Sequence, residues 1–453
     1  MPKKKTALTI EERLQQALVP AEEQPYEVPE NWVWVRLGAI AEIVTGGTPS
    51  KKHPEYYGGN FPFYKPSDLD QGRLTYDASE YLSEEGKNVS RIIPKNSTAV
   101  CCIGSIGKCG YLMCEGTTNQ QINSAIPKIN SLCLYYYLCT ENFVQNLLSM
   151  ASATTIAIVN KSKMESCAFP LPPLSEQQRI VERIEELLAK LDEAKERLQE
   201  VADSFAVRKA AILHNAFTGE LTKQWRRENG VSYESWEEKK GEDFFEYVTS
   251  GSRGWAKYYS DKGSIFIRMG NLNHGTIELD FSDIQYVELP DQVEGQRSKL
   301  QKNDILISIT ADVGMIALVR EDMDAYINQH VALARPKNDL YAEFLAWYFV
   351  SDDGLQQMQN KQRGATKIGL GLQDIRSIIL KIPTLPEQHE IVRLIDDLLA
   401  RERAAQQAAE QALASIDLMK KSILARAFRG ELGTNKASEA SALELLKQVL
   451  AEN

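Results

Sequence analysis

From Ile180 the apolar residues fall at Ile184, Leu187, Leu191, Ala194, Leu198, Val201 and Phe205, alternately four and three positions apart. That step keeps one narrow apolar stripe along an α-helix, the pattern of a coiled-coil seam. Pro172 and Pro173 precede it, Ser175 is placed to cap it and Gly219 to end it. A second stripe starts at Ile391, Ile395 and Leu398, turns alanine-rich through Ala405, Ala409 and Ala412, and regains bulk at Ile416, Met419 and Ile423. About 40 residues of helix make a rod of roughly 60 Å. Before and between the rods the pattern changes to short strands such as STAVCCI (97–103) and DILISI (304–309) among Gly-rich turns, with a helix late in each segment (134–150 and 342–359). The expected fold is α+β: two mixed α/β globules separated by two long helices that pair with each other as a coiled coil; the bland reading is two separate amphipathic helices, each packed on its own domain.

The two stripes are copies. Shifted by 211 positions, PPLSEQQRIVERIEELLA (172–189) lies on PTLPEQHEIVRLIDDLLA (383–400), and KAAILHNAFTGEL (209–221) on KKSILARAFRGEL (420–432). The distance from Glu-Gln to Gly-Glu-Leu is equal in both copies, as a rigid rod requires and a flexible linker does not. Glu402 stands where Leu191 stands in the first copy. The globules match more weakly: residues 31–50 with 234–254, 64–74 with 267–277, TNQQINSAIPK (118–128) with INQHVALARPK (327–337), and Thr154-Thr155-Ile156 with 365–368. The chain therefore divides into an N-terminal arm (1–29), a first globule (30–171), a first rod (172–221), a second globule (222–382), a second rod (383–432) and a tail (433–453).

Composition adds limits. With 43% hydrophobic and 25% charged residues, the 453-residue chain has material for ordinary cores. It lacks an apolar run of membrane-spanning length, and MPKKK is followed by no apolar stretch, so neither a membrane span nor a leader is expected. The seven cysteines form no C-x-x-C and read as reduced thiols of a cytoplasmic protein. The net charge is −10, and neither globule is basic: residues 31–169 carry 12 Lys/Arg against 11 Asp/Glu, and 232–381 carry 17 against 23. Any nucleic-acid surface must be a local patch.

The paired PPLSEQQRIVERI and PTLPEQHEIVRLI blocks, the NAFTGEL and RAFRGEL endings, GGTPS and the two Asn-Gln elements resemble the DNA-specificity subunit of type I restriction–modification systems, over nearly the whole chain. The resemblance implies that each globule is a target recognition domain reading one half of a bipartite sequence in double-stranded DNA. It implies that the rods pair as an antiparallel coiled coil with pseudo-two-fold symmetry, space these domains and dock two methyltransferase subunits, which bind S-adenosylmethionine and methylate adenine. Two motor-nuclease subunits using ATP and Mg complete such systems where present. No cofactor is expected on this chain, and no chemistry.

Base edges call for Arg, Lys, Asn, Gln, Ser or Thr on loops, and phosphates for cations, hydroxyls and free N–H groups. In the first globule the candidates are Thr45, Gly46, Gly47, Thr48, Lys51, Lys52, Lys65, Ser67, Ser105, Lys108, Asn119 and Gln120. In the second they are Ser250, Ser252, Arg253, Trp255, Lys257, Arg268, Asn271, Gln329, Arg363 and Lys367. The bland reading is that the glycines make turns and that Asn119 and Asn328 satisfy buried backbone. Catalytic motifs fail on inspection. NFPFY (60–64) has one proline, misplaced for a methyltransferase element; GSIGKCG (104–110) follows its lysine with Cys109, where a P-loop needs Ser or Thr; PDQVEGQ (290–296) lacks nuclease spacing. The five histidines are scattered and give no metal site. The rival reading is a coiled-coil scaffold without DNA readout. Thr9 to Glu12 fits a capping box opening a short helix to Leu18, and Leu443, Leu446, Val449 and Leu450 mark one face of a C-terminal helix.

Overall fold

The computed structural model describes residues 9–71, 73–152, 157–290, 295–363 and 369–452; Thr154-Thr155-Ile156, Lys367 and residues 291–294 of PDQVEGQ lie outside them. The chain forms two compact units. The first comprises Met1–Leu198 with Ala412–Asn453, the second Gln199–Gln411. Each unit thus owns the start of one long helix and the end of the other.

The first long helix runs Leu174–Asp203 and resumes as Phe205–Phe217; the second is continuous over Leu385–Ala427. The interruption at Ser204 has a cause. Its Oγ donates to the Val201 carbonyl at 2.6 Å, and its N–H is shared between the carbonyls of Glu200 and Val201, tightening one turn. The helix also begins one residue before Ser175, which lies in the first turn instead of capping it.

Pairing within each unit is antiparallel. In the first unit Lys195 faces Asp417 at 3.8 Å and Asp192 faces Lys420, while Ile180, Ile184 and Leu188 share a core with Ala427 and Phe428. In the second, Arg208 pairs with Glu402 at 2.8 Å, and Leu213 and Ala216 pack with Ile391, Ile395 and Leu399. Glu402, the break in the repeat, is thus answered by Arg208. Of the expected seam, Ile180, Ile184, Ile391, Ile395, Ala409 and Ile416 are buried, and Leu187, Leu191, Leu198, Leu398 and Ala412 half-buried. Val201 and Ala405 are exposed. Phe205, the next position of the first stripe, is buried, so that stripe resumes beyond the break at Ser204.

The globular part of each unit repeats one topology. In the first unit strands at 41–45, 122–127, 98–101 and 109–112 lie side by side in that order, with 74–75 added at the edge. In the second unit 245–250, 331–336, 305–308 and 316–318 do the same. A second sheet accompanies each, of three strands in the first unit and four short strands in the second, and a two-stranded ribbon ties the segment's entry to its exit: Val33–Arg36 with Ala168–Leu171, and Glu237–Lys240 with Ile379–Ile382. The single late helix expected in each globule is a pair, Ser131–Leu138 then Glu141–Met150, and Ala342–Val350 then Asp352–Asn360. Thr140 and Ser351 restart the chain by capping the second helix through their hydroxyls. Just before them Tyr137 and Tyr348 donate to the carbonyls of Ala168 and Ile379 at 2.8 and 2.9 Å, again 211 residues apart.

The preserved motifs are accounted for by what they hold. Glu176 and Glu387 are fully buried. Glu176 accepts from Trp32 Nε1 (2.7 Å), Thr434 Oγ1 (3.2 Å) and Asn435 Nδ2 (2.9 Å). Glu387 accepts from Trp236 Nε1 (3.0 Å), Thr222 Oγ1 (2.7 Å) and the Arg226 guanidinium (2.6 Å). Each Glu therefore receives the segment that follows the Gly-Glu-Leu of the other helix. The neighbouring Gln177 and Gln388 each donate to a proline carbonyl, of Pro172 and Pro383 (2.9 Å both), and accept the N–H of Asn130 and Tyr341 (3.0 and 2.9 Å). The Glu-Gln element and the Gly-Glu-Leu ending are two halves of one lock, used twice.

Both chain ends belong to the first unit. Thr9 and Glu12 form the capping box of Ile10–Ala17, which packs against Ala442–Ala451; Arg13 donates to the Leu450 carbonyl at 3.0 Å. Ala442 and Leu446 are buried in the same core as Ala17 and Trp32. The ends are core elements of the first unit. Of the cysteines, Cys101, Cys102, Cys133 and Cys167 are buried, Cys109 and Cys139 half-buried and Cys114 exposed; burial pushes the Cys102 thiol up to about 12 and also raises Cys133 and Cys167.

Candidate nucleic-acid interface

In each unit the strand that opens the main sheet runs into a loop packed against the Asn-Gln turn. The approach is close enough to demand glycine. A Cβ on Gly46 would lie 2.1 Å from the Asn119 carbonyl oxygen, and one on Gly251 1.9 Å from that of Ile327. Asn119 Oδ1 accepts the Gln121 N–H at 3.1 Å, and Asn328 Oδ1 the His330 N–H at 3.0 Å. Both asparagines are almost wholly buried and hold the turn. The outward members are the glutamines. Gln120 is exposed and receives Thr48 Oγ1 at 2.5 Å, and Gln329 faces the second unit's loop. Gly251→Ala should cost at least about 1–3 kcal/mol through forced displacement of this loop. Thermal unfolding measures it, and an unaltered midpoint would contradict the close approach.

The remaining candidates sort by partner. Lys65 pairs with Glu80 (2.7 Å), Lys108 with Asp70 (2.6 Å), Arg268 with Asp283 (2.8 Å) and Arg363 with Asp374 (3.0 Å), so these cations are already engaged. Asn271 is buried, accepts the Arg268 N–H and donates to the carbonyls of Asp280 and Asp283; it holds a turn. Thr45 Oγ1 donates to Asn123 Oδ1 at 2.8 Å. Ser67, Ser105 and Gly47 are exposed. Trp255 is buried, stacked on Phe266 and edge-on to Tyr326, so it forms a floor and offers no face to a base. Lys51, Lys52, Arg253 and Lys257 are exposed, with no carboxylate partner among the described residues. They stand on the equivalent loops of the two units.

Around the second loop, Ser250, Ser252, Arg253, Trp255, Lys257 and Gln329 line one open cleft of about 720 Å³, together with Pro290 and Arg297. Arg297 is absent from the sequence candidates because residue type alone does not show which segments meet; the fold brings it to the loop. Arg91 and Arg376 were likewise invisible, and donate to the carbonyls of Thr45 (2.5 Å) and Val248 (2.7 Å), bracing the strand that feeds each loop. Arg335, near the cleft, is committed elsewhere by two bonds to Asp304 (2.7 and 2.8 Å); burial pushes the Asp304 carboxyl up, against the pull of that guanidinium. Local positive groups thus coexist with an acidic chain, and they sit on loops at corresponding places of two like sheets.

Comparison with known proteins agrees with this architecture. The family model described as the type I restriction modification DNA specificity domain matches twice, over residues 29–203 and 233–412. The chain is 28% identical over 460 residues to the type I restriction enzyme EcoBI specificity subunit of Escherichia coli, covering 94% of this chain and 93% of that one. It is 24% identical over 455 residues to the EcoKI specificity subunit of Escherichia coli strain K12, covering 94% and 96%. The HsdS subunit from Thermoanaerobacter tengcongensis has the same fold, with a TM-score of 0.65 at 19% identity, covering 90% of this chain and 99% of that one. No helix among the described residues is long and apolar enough to cross a membrane. With the specificity domain present twice and full-length relatives matched over more than nine-tenths of their length, the chain belongs to the type I restriction–modification DNA specificity family, as a non-catalytic subunit for DNA target recognition.

Proposed function

We propose that each unit reads one half of a bipartite duplex target and that the paired helices set the gap between the halves and recruit two copies of an adenine methyltransferase. The observation that carries this reading is duplication with selective divergence. The sheet order and the Glu-Gln lock are the same in both units, whereas the loop on the opening strand differs: Gly-Gly-Thr-Pro-Ser-Lys-Lys in one, Gly-Ser-Arg-Gly-Trp-Ala-Lys in the other. Readers of two different half-sites need different loops on one scaffold. S-adenosylmethionine belongs to the methyltransferase, and ATP with Mg to motor-nuclease subunits joining the same assembly.

Two equal docking sites on one chain require the same surface twice. Val207 and Leu418 are equivalent positions of the two helices, 70% and 68% exposed, and Leu174 and Leu385 form a second such pair at 56% and 40%. Large apolar side chains left in water at the same register of both copies support a repeated partner contact. Val207→Asp should reduce the complex from two methyltransferases to one, and Val207→Asp with Leu418→Asp should weaken both contacts by tenfold or more. Native mass spectrometry reads the stoichiometry directly. Two methyltransferases bound at unaltered affinity to the doubly substituted chain would contradict these anchors.

A further inference from the structure

We infer that the cleft in the second unit is a phosphate clamp for one DNA strand, and that Arg297 is its fixed member; this rests on reading the unit as a DNA recogniser. Arg253, Lys257 and Arg297 come from two separate segments to line one concavity, none with a carboxylate partner among the described residues. Arg297 is held in place. Its Nε donates to Thr249 Oγ1 at 3.2 Å and its carbonyl accepts from the Tyr247 hydroxyl at 3.4 Å, so the backbone and one edge of the guanidinium have partners while the exposed side chain lines the cleft. Gly295 brings this segment against the recognition loop. It has φ +106°, and a Cβ there would meet Ser252 Oγ at 1.8 Å and Trp255 at 3.0 Å.

Shape decides between phosphate and base. Reading base edges needs a group that projects into a groove. A concave surface lined by cations fits a ridge, and the ridge of a duplex is its phosphate backbone. Arg297 would therefore add affinity and register without sequence preference, while base discrimination stays with the loop that differs between the two units.

The test uses the full chain in complex with its methyltransferase and a pool of random-sequence duplexes at several salt concentrations. Arg297→Ala should bind every duplex about tenfold more weakly, and the slope of log affinity against log salt should fall by about 0.9, one phosphate contact. Arg297→Lys should keep the slope. Gly295→Ala, with Arg297 intact, should reproduce the loss by displacing the segment. An unchanged slope for Arg297→Ala, or a loss confined to one base position, would overturn the clamp while leaving the recognition reading in place. If the unaltered complex bound no duplex at any salt, the recognition reading itself would fall.

Discussion

Glu387→Ala should destabilise the second unit by about 3–5 kcal/mol, whereas Glu176→Ala should cost the first unit about 1–3 kcal/mol. Both carboxylates are fully buried in equivalent locks, so the difference lies in their partners. Removing Glu387 leaves the Arg226 guanidinium 9% exposed and without its counter-charge, its other bonds going to Thr222 and the Gly219 carbonyl. An uncompensated charge in that place is the expensive outcome. Removing Glu176 orphans only neutral donors, on Trp32, Thr434 and Asn435. Glu387→Gln with Arg226→Met should recover much of the loss, because the charge and its partner leave together. For a unit of this size the larger effect corresponds to a midpoint shift of roughly 10 °C. Calorimetry of the two single variants decides the matter. Equal losses, or a loss below about 1 kcal/mol for Glu387→Ala, would show that the lock is not what the motif is kept for.

The second large effect concerns spacing. Inserting four residues after Leu198 and four after Gln411 should lengthen the gap between the recognised half-sites by about two base pairs while leaving the half-site bases unaltered. One turn adds ~6 Å to a helix, and bases along a strand rise 3.4 Å each. Both insertions are needed. The antiparallel partners within each unit, Asp192 with Lys420 and Arg208 with Glu402, lie on either side of those points and keep their matches only if both helices grow together. Inserting into one helix alone should instead strain the Glu-Gln lock of one unit and lower stability. Mapping the methylated adenines of hosts carrying each form reads the gap. The parent's gap in the double insertion would defeat the ruler.

How much of this was legible before folding depends on what each signal rests on. The rods were readable because apolar stepping and a 211-residue register are local and repetitive. The globules' kinship was legible at Gly46 and Gly251 and at Asn119 and Asn328, where backbone geometry admits few residues. Those same constraints make the asparagines structural, which the composition of the turn alone does not reveal. The broken late helices were missed because Thr140 and Ser351 are ordinary hydroxyl residues until the chain turns there and their side chains cap a new helix. Stepping puts Val201 on the seam, but it does not say which seam positions a partner covers, and Val201 is exposed. Among candidate contacts, sequence gives residue type but not partner. Lys65, Lys108 and Arg268 look like free cations in one dimension and are paired in three. Arg297 lies more than 40 positions from Arg253 and lines the same cleft.

The central claim is that two dissimilar readers on duplicated helical struts recognise two halves of one target at a fixed separation. Methylome sequencing tests it, in a host carrying this chain with its methyltransferase and in one where the first unit's loop 46–52 is replaced by another sequence. The account predicts methylated adenines in a bipartite motif of constant gap, with the loop replacement altering one half and sparing the other. A single uninterrupted motif, or simultaneous change of both halves, would contradict it.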